Sequence, residues 1–176
     1  LSRYRYELGE LIEISKALST EREIDKLLDL ILEKSRFITG ADAGSLYVVE
    51  GDDPDPLRRT LRFKLTQNDS VEFDWREFSV PVSSRSMSGY VALHKCPLNI
   101  ADVYDLPPRS PFGFDPSFDA KIGYRTKSML CAPLLSRAGD VIGVIQLINK
   151  KRDVEKRIQS STDADDVVVP FDERSE

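Results

Sequence analysis

The sequence predicts an α+β domain organised on antiparallel hairpins, and three observations carry that prediction. Residues 128–150 hold two apolar, β-branched runs on either side of Ala138-Gly139-Asp140, and a glycine-containing break between such runs is a hairpin signal. Residues 43–50 and 58–67 form a second strand pair around Gly51-Asp-Asp-Pro-Asp-Pro56, a loop dense in turn residues. Ahead of both, residues 4–39 repeat apolar side chains at helical spacing.

In chain order, Leu8, Leu11, Ile12, Ile14 and Leu18 mark a first helix. Their stripe is too wide for one side of a surface helix, so part of it either meets a second chain or caps its own domain. Thr20 with Glu23 has the capping-box form, and Ile24, Leu27, Leu28, Ile31, Leu32 and Ile38 then make a core stripe that Gly40 ends. Glu21, Asp25, Asp29 and Glu33 on the other face read as solvated surface. In residues 58–67, Leu61, Phe63 and Leu65 alternate with Arg62, Lys64 and Thr66, so one face is buried and the other is wet or faces a pocket. Ser45 lies opposite Leu46 and Val48.

Residues 78–82 read as a peripheral strand, because Pro81 cannot donate to a ladder. The hydroxyls of residues 83–86 cap a short helix from Met87 to His94, whose free N–H groups are a potential anion site. Residues 98–100 are a short strand, 102–113 a loop, and 115–123 a brief helix with an Asp cap, Pro at its start and Gly at its end. In the central hairpin, residues 141–148 are apolar at nearly every position without alternation, so both faces of that strand are covered. Gln146 breaks the run. Its amide costs roughly 1–3 kcal/mol if left without partners, so another buried group or a ligand satisfies it. Residues 151–170, basic first and acidic later, read as a mobile insert with a few turns of helix.

At 176 residues, 40% hydrophobic and 31% charged, the chain suffices for one domain with a substantial core. A net charge of −5 with no cation-dense face argues against nucleic acid and anionic membranes. No apolar run approaches a membrane span, and Cys96 and Cys131 fit free thiols in a reducing, cytoplasmic compartment. The chain reads as an excised piece: it begins at Leu1 and stops in residues 171–176, the start of a further helix. A single histidine, His94, excludes a multi-histidine metal site and reads as a capping or surface residue. Cys131 in an apolar run reads as an inert core thiol. No phosphate-loop or dinucleotide motif is present, and no catalytic constellation emerges. What remains is polar residues at covered positions, namely Ser45, Gln146, Asp119, Arg125 and Thr126. Together they suggest a polar-lined cavity between the sheet and residues 102–126.

Ala43-Gly-Ser-Leu-Tyr-Val-Val-Glu50, Met87-Ser-Gly-Tyr-Val-Ala92, Pro97-Leu-Asn-Ile-Ala-Asp-Val-Tyr104, Gly123-Tyr-Arg-Thr-Lys-Ser-Met-Leu-Cys-Ala-Pro133, Val141-Ile-Gly-Val-Ile-Gln-Leu-Ile-Asn-Lys150 and Phe171-Asp-Glu173 together resemble a GAF domain. That family is the small-molecule-sensing module of cyclic-nucleotide phosphodiesterases, certain adenylyl cyclases and many bacterial signalling proteins. The resemblance implies a PAS-like fold with a central antiparallel sheet of about six strands, helices on both faces, and dimerisation through the terminal helices. It places ligand contacts at Ser45, Met87, Ser88, Asp119, Thr126 and Gln146, with cAMP or cGMP as candidate ligands. Gln146 stands where cGMP-binding members carry glutamate and Ile122 where they carry threonine, which leaves the ligand open. Asn149, Lys150 and Phe171 match a motif that pins the lid through a Lys–Asp pair. The register after Phe171 puts Ser175-Glu176 at the expected acidic position, so Lys150 pairs with Asp172, with Glu173 or with neither.

The expected division is an N-terminal signalling and dimerisation helix over 1–19 and a GAF domain over 20–176. The long spacer before Phe171 resembles bacterial GAF domains that precede an HD-GYP phosphodiesterase or a cyclase domain. The expected function is a cytoplasmic, homodimeric sensor of a bacterial signalling protein that binds a small molecule, is not itself an enzyme, and controls an attached output domain. The alternatives are a ligand-free dimerisation module and, from the enzyme class, a thiol redox catalyst using Cys96 or Cys131.

Overall fold

The computed structural model describes residues 2–18 and 21–172; the proposed cap at Thr20 and the acidic pair Ser175-Glu176 lie outside them. Two helices open the chain, α1 (Ser2–Leu18) and α2 (Glu21–Thr39). Gly40 at φ +74° ends α2, because an L side chain is disfavoured in that left-handed conformation. The strands β1 (Ala41–Glu50), β2 (Thr60–Asn68), β3 (Phe78–Pro81), β4 (Leu98–Ile100), β5 (Met129–Leu135) and β6 (Val141–Lys151) pair in the order β3-β2-β1-β6-β5-β4. A two-residue β7 (Val168–Val169) adds to the end of β6. Every ladder is antiparallel. As expected, the apolar β6 is central and the proline-bearing β3 is an edge.

The sheet separates two environments. On one face α1 and α2 lay Leu8, Ile12, Leu28 and Leu32 onto Leu46, Val48, Leu130, Leu134, Ile145 and Leu147. Gly9 lets α1 come this close, since a Cβ there would run into the Leu135 carbonyl. Ile38, assigned by its spacing to this core, is instead 60% exposed, as Leu11 and Ile14 of α1 are at 48% and 56%. The acidic face of α2 is tied down rather than free: Asp25 pairs with Lys64 at 3.0 Å and Asp29 accepts from Gln67 at 2.8 Å.

On the other face lie α3 (Met87–His94) and α4 (Ser117–Ile122). The Ser86 hydroxyl caps α3 by accepting from the Gly89 amide at 3.1 Å, and Val91 and Ala92 pack with Cys131 and Val144. The strict alternation expected of β2 fails at one residue. Between the pairs Leu46–Leu65 and Tyr47–Phe63 the chain advances one residue in β1 and two in β2, a bulge at Lys64. Leu65 therefore joins the α1/α2 core, while Phe63 and Thr66 turn to the opposite face. Residues 151–170 carry α5 (Ser161–Val167) and a fully buried Ile158.

Candidate functional site: a cavity between the sheet and a hydrogen-bonded lid

The floor of the site is a cross-strand row. Thr66, Ser45, Gln146 and Cys131 are successive partners across β2, β1, β6 and β5, so their side chains share the face away from α1 and α2. Above them is a cavity of about 790 Å³. Ser45, Met87, Ser88, Asp119, Thr126 and Gln146, the six positions proposed from sequence, all line it.

Their hydrogen bonds distinguish them. Ser45 Oγ donates to Thr66 Oγ1 at 3.2 Å, and Thr66 Oγ1 donates in turn to the Gly44 carbonyl at 3.1 Å. Gln146 is half-buried rather than enclosed, and its amide meets the Cys131 thiol. Burial pushes that thiol up to about 12, the bond from Gln146 opposing the rise. Such a thiol stays protonated at neutral pH and is a poor nucleophile. Tyr47 is driven above its ordinary phenol range by burial and then by Cys131, with Ser88 hydrogen-bonding against the shift.

The lid, residues 102–126, closes on Asp119 of α4. Its Oδ2 accepts from the Tyr104 hydroxyl and the Thr126 amide, and its Oδ1 from the Thr126 hydroxyl, each at 2.8 Å. Asp119 thus borders the cavity with its carboxylate already engaged in holding the lid together. The Tyr104 hydroxyl is pushed up to about 12 by desolvation and by Asp119, and the Arg125 guanidinium lies 3.5 Å above its ring.

A second buried cluster anchors the lid's end to the sheet. Asn149, fully buried and at φ +58°, accepts from the Lys127 amide at 2.7 Å and donates to Tyr124 Oη at 3.0 Å and to the Arg125 carbonyl at 2.8 Å. Tyr124 Oη and Ser70 Oγ each donate to Asp42 Oδ2 at 2.7 Å, and Lys151 Nζ lies 2.7 Å from Asp42 Oδ1. Lys150 pairs with Asp172 at 2.8 Å, one of the alternatives the sequence left open. Phe171 is buried in the α1/α2 core.

Sequence reasoning missed Asp42, Lys151, Tyr124 and Thr66, and the aromatic wall of Phe63, Phe73, Phe78 and Phe118. Asp42 had a signal, being the lone charge in residues 41–49, whereas Lys151, next to Lys150 at the end of β6, had none of its own. In the aromatic wall, Phe63 was read only as a buried strand residue, and Phe73 had no signal, because residues 69–77 fold over the sheet by tertiary contacts alone. His94 is exposed at the end of α3 against Tyr90. Among the described residues no group of three or more His, Cys, Asp or Glu side chains is placed to hold a metal, and no helix is long and apolar enough to cross a membrane.

An antiparallel sheet with α1 and α2 on one face, and α3, α4 and a polar-floored cavity on the other, defines an α+β module. The GAF domain family model matches residues 23–167, and the chain belongs to that family. It is 34% identical over 154 residues to the dual 3',5'-cyclic-AMP and -GMP phosphodiesterase 11 of Drosophila melanogaster, covering 80% of this chain and 10% of that protein. It is 32% identical over 148 residues to the cGMP-specific 3',5'-cyclic phosphodiesterase of Drosophila melanogaster, 81% of this chain and 13% of that protein. The chain therefore spans about a tenth of the length of these relatives. In fold it is similar to the A. aeolicus nlh2 GAF domain in an inactive state (TM-score 0.53, 19% identity, 84% of this chain and 80% of that one). It is also similar to residues 122 to 287 of a methyl-accepting chemotaxis protein (TM-score 0.54, 22% identity, 81% and 80%).

Proposed function

We propose that this domain is a regulatory sensor whose cavity takes a cyclic nucleotide, and that occupancy biases the packing of α1 and α2 in a homodimer of a cytoplasmic signalling protein. The observation that carries the reading is the cavity, whose 790 Å³ falls within the ~300–1,000 Å³ of small-molecule sites. Ser45, Thr66 and Gln146 supply hydrogen bonding at its floor and Phe63, Phe73, Phe78 and Phe118 supply stacking surface. The start of α3, at Met87 and Ser88, presents backbone N–H groups suited to an anion. Gln146 offers both donors and an acceptor, so it suits either purine. Asp119 and Thr126 shape the lid and Asn149 fixes its far end to the sheet, whereas the other two positions of the expected lid-pinning motif are engaged elsewhere, Lys150 with Asp172 and Phe171 in the α1/α2 core.

A ligand can shift α2 only by as much as it prefers one lid arrangement. A continuous route is available: Tyr124 of the lid bonds Asp42, whose carbonyl accepts from Arg36 of α2 at 2.9 Å. The test is calorimetric titration with cAMP and cGMP. Saturable micromolar binding of one, weakened about tenfold in Gln146→Leu by loss of its hydrogen bonds, is the expected result. Silence from both nucleotides would overturn the ligand class.

A second reading, dimerisation without a ligand, is favoured by one observation: Leu11, Ile14 and Phe37 are 48%, 56% and 84% exposed on α1 and α2. Retention of the dimer and of downstream regulation in a variant with a filled cavity, Ser45→Phe, would support it. The thiol redox alternative loses Cys131 to its burial and raised pKa.

A further inference from the structure

A second cavity lies on the opposite face of the sheet, between α1, the end of α2, β5 and β6, with a volume of about 270 Å³. Leu134, Leu147 and Ala132 form its apolar floor, and Leu8, Ser35 and Thr39 its sides. All six of these are at least nine-tenths buried, and Ile38, 60% exposed, stands at the cavity's mouth. One charged side chain lines it. Arg5 of α1 has Nε and Nη1 buried there with no hydrogen-bond partner among the described residues. The two hydroxyls do not answer it with a negative charge, and both spend their hydrogens on α2 itself: Ser35 on the Ile31 carbonyl and Thr39 on the Ser35 carbonyl, each at 2.8 Å.

Two buried guanidinium N–H groups without acceptors beside a mostly apolar cavity are a costly arrangement unless an anion meets them, and apart from Ser35 and Thr39 the rest of the lining is hydrocarbon. We propose that this cavity is a binding site for a small monocarboxylate with an apolar tail, the carboxylate pairing with Arg5 and the tail filling the space over Ala132 and Leu134. The size fits a short- to medium-chain carboxylic acid, since 270 Å³ exceeds the ~150 Å³ of a cavity that holds benzene. The site is separate from the lidded cavity, because side chains of opposite pleat direction line the two. Its occupant would touch α1, α2 and the sheet together, and so set how the first helix sits.

The test is calorimetry of the whole chain with sodium octanoate and, as the uncharged match, 1-octanol. Octanoate is expected to saturate one site at least tenfold more tightly than octanol, the scale of a charge-assisted bond. Arg5→Gln should bring the two within twofold of each other while leaving the circular dichroism spectrum unchanged, and Ala132→Leu should remove both. Cyclic nucleotide affinity should be the same in the presence and absence of Arg5→Gln, which separates this site from the sensor reading. No saturable octanoate binding, equal affinity for octanol, or an octanoate affinity indifferent to Arg5→Gln would each overturn the proposal. Dissociation of a dimer on adding octanoate, with Arg5→Gln likewise monomeric, would overturn it in favour of a second copy reaching into the cavity.

Discussion

On one side of the sheet Leu46, Leu134 and Ile145 meet Ile12 and Leu32 with almost no solvent; on the other, neighbouring residues of the same strands present Ser45 and Gln146 to a cavity. The difference arises from the pleat. Successive side chains point to opposite faces, so every second residue can be made polar without disturbing the packing of its neighbours. One face carries most of the core, with the smaller cavity beside Arg5 left in it, and the other carries the lidded cavity; for nucleotide binding, substitutions on the two should separate into losses of stability and losses of affinity.

The largest effect should come from the place where the two faces are tied together. Lys151 and Asp42 form an ion pair at the strand ends with side chains 3% and 0% exposed, and Lys151 also donates to the carbonyls of Val154 and Lys156 at 2.7 and 2.8 Å. Lys151→Met leaves the Asp42 carboxylate buried without its cation, which costs about 3–5 kcal/mol. Urea unfolding should show it, and a loss under 1 kcal/mol would mean that water reaches the pair. Next is the α1/α2 face. Leu134→Ala removes a fully buried side chain and should cost about 3 kcal/mol with cyclic nucleotide affinity unchanged; an affinity loss parallel to the stability loss would break the separation.

Much of this division was legible in the sequence. The non-alternating run of β6 announced a central strand, and Gln146 and Ser45, polar residues in apolar strands, marked the face that would hold the site. What was not legible depended on register or on distant segments. The bulge at Lys64 moves Leu65 to one face and Phe63 to the other, and no local pattern encodes it because all three residues fit an unbroken strand. Ile38 continues the helical spacing of α2 but stands at the mouth of the cavity beside Arg5, 60% exposed, where no side chain packs over it as in the core. Asp42 and Lys151 are 109 positions apart, so their pairing exists only once β1 and β6 are adjacent.

The lid gives intermediate effects. Asp119→Ala leaves the Thr126 amide and the Tyr104 hydroxyl without their acceptor, at about 1–3 kcal/mol, and should weaken nucleotide binding by loosening the lid. Equal affinity in the variant would separate the lid from the site. Alkaline pH addresses the same region. Cys131 and Tyr104 rise to about 12 from ordinary values of 9.0 and 10.0, and Tyr124 is also raised, by burial and then Asp42. The folded state thus holds protons that the unfolded chain has lost, so stability is intact below about pH 9 and declines as pH climbs from there toward 12. A melting temperature that falls over this range, less steeply in Tyr104→Phe, is the expected result; a flat profile would contradict the raised values of these groups.

The smallest effect on stability is the most informative about function. Ser45→Ala removes one hydrogen bond, to Thr66 at 3.2 Å, and Thr66 keeps its own bond to the Gly44 carbonyl. The cost should be at most about 1 kcal/mol, because the alanine methyl still covers the strand and no buried donor is orphaned. If the cavity floor reads a ligand, the same change should weaken cyclic nucleotide binding several-fold, a ratio of binding loss to stability loss opposite to that of Leu134→Ala. Measured side by side, the two variants test whether a single sheet divides its labour by face: equal ratios would mean that the cavity face is ordinary core with a gap in it.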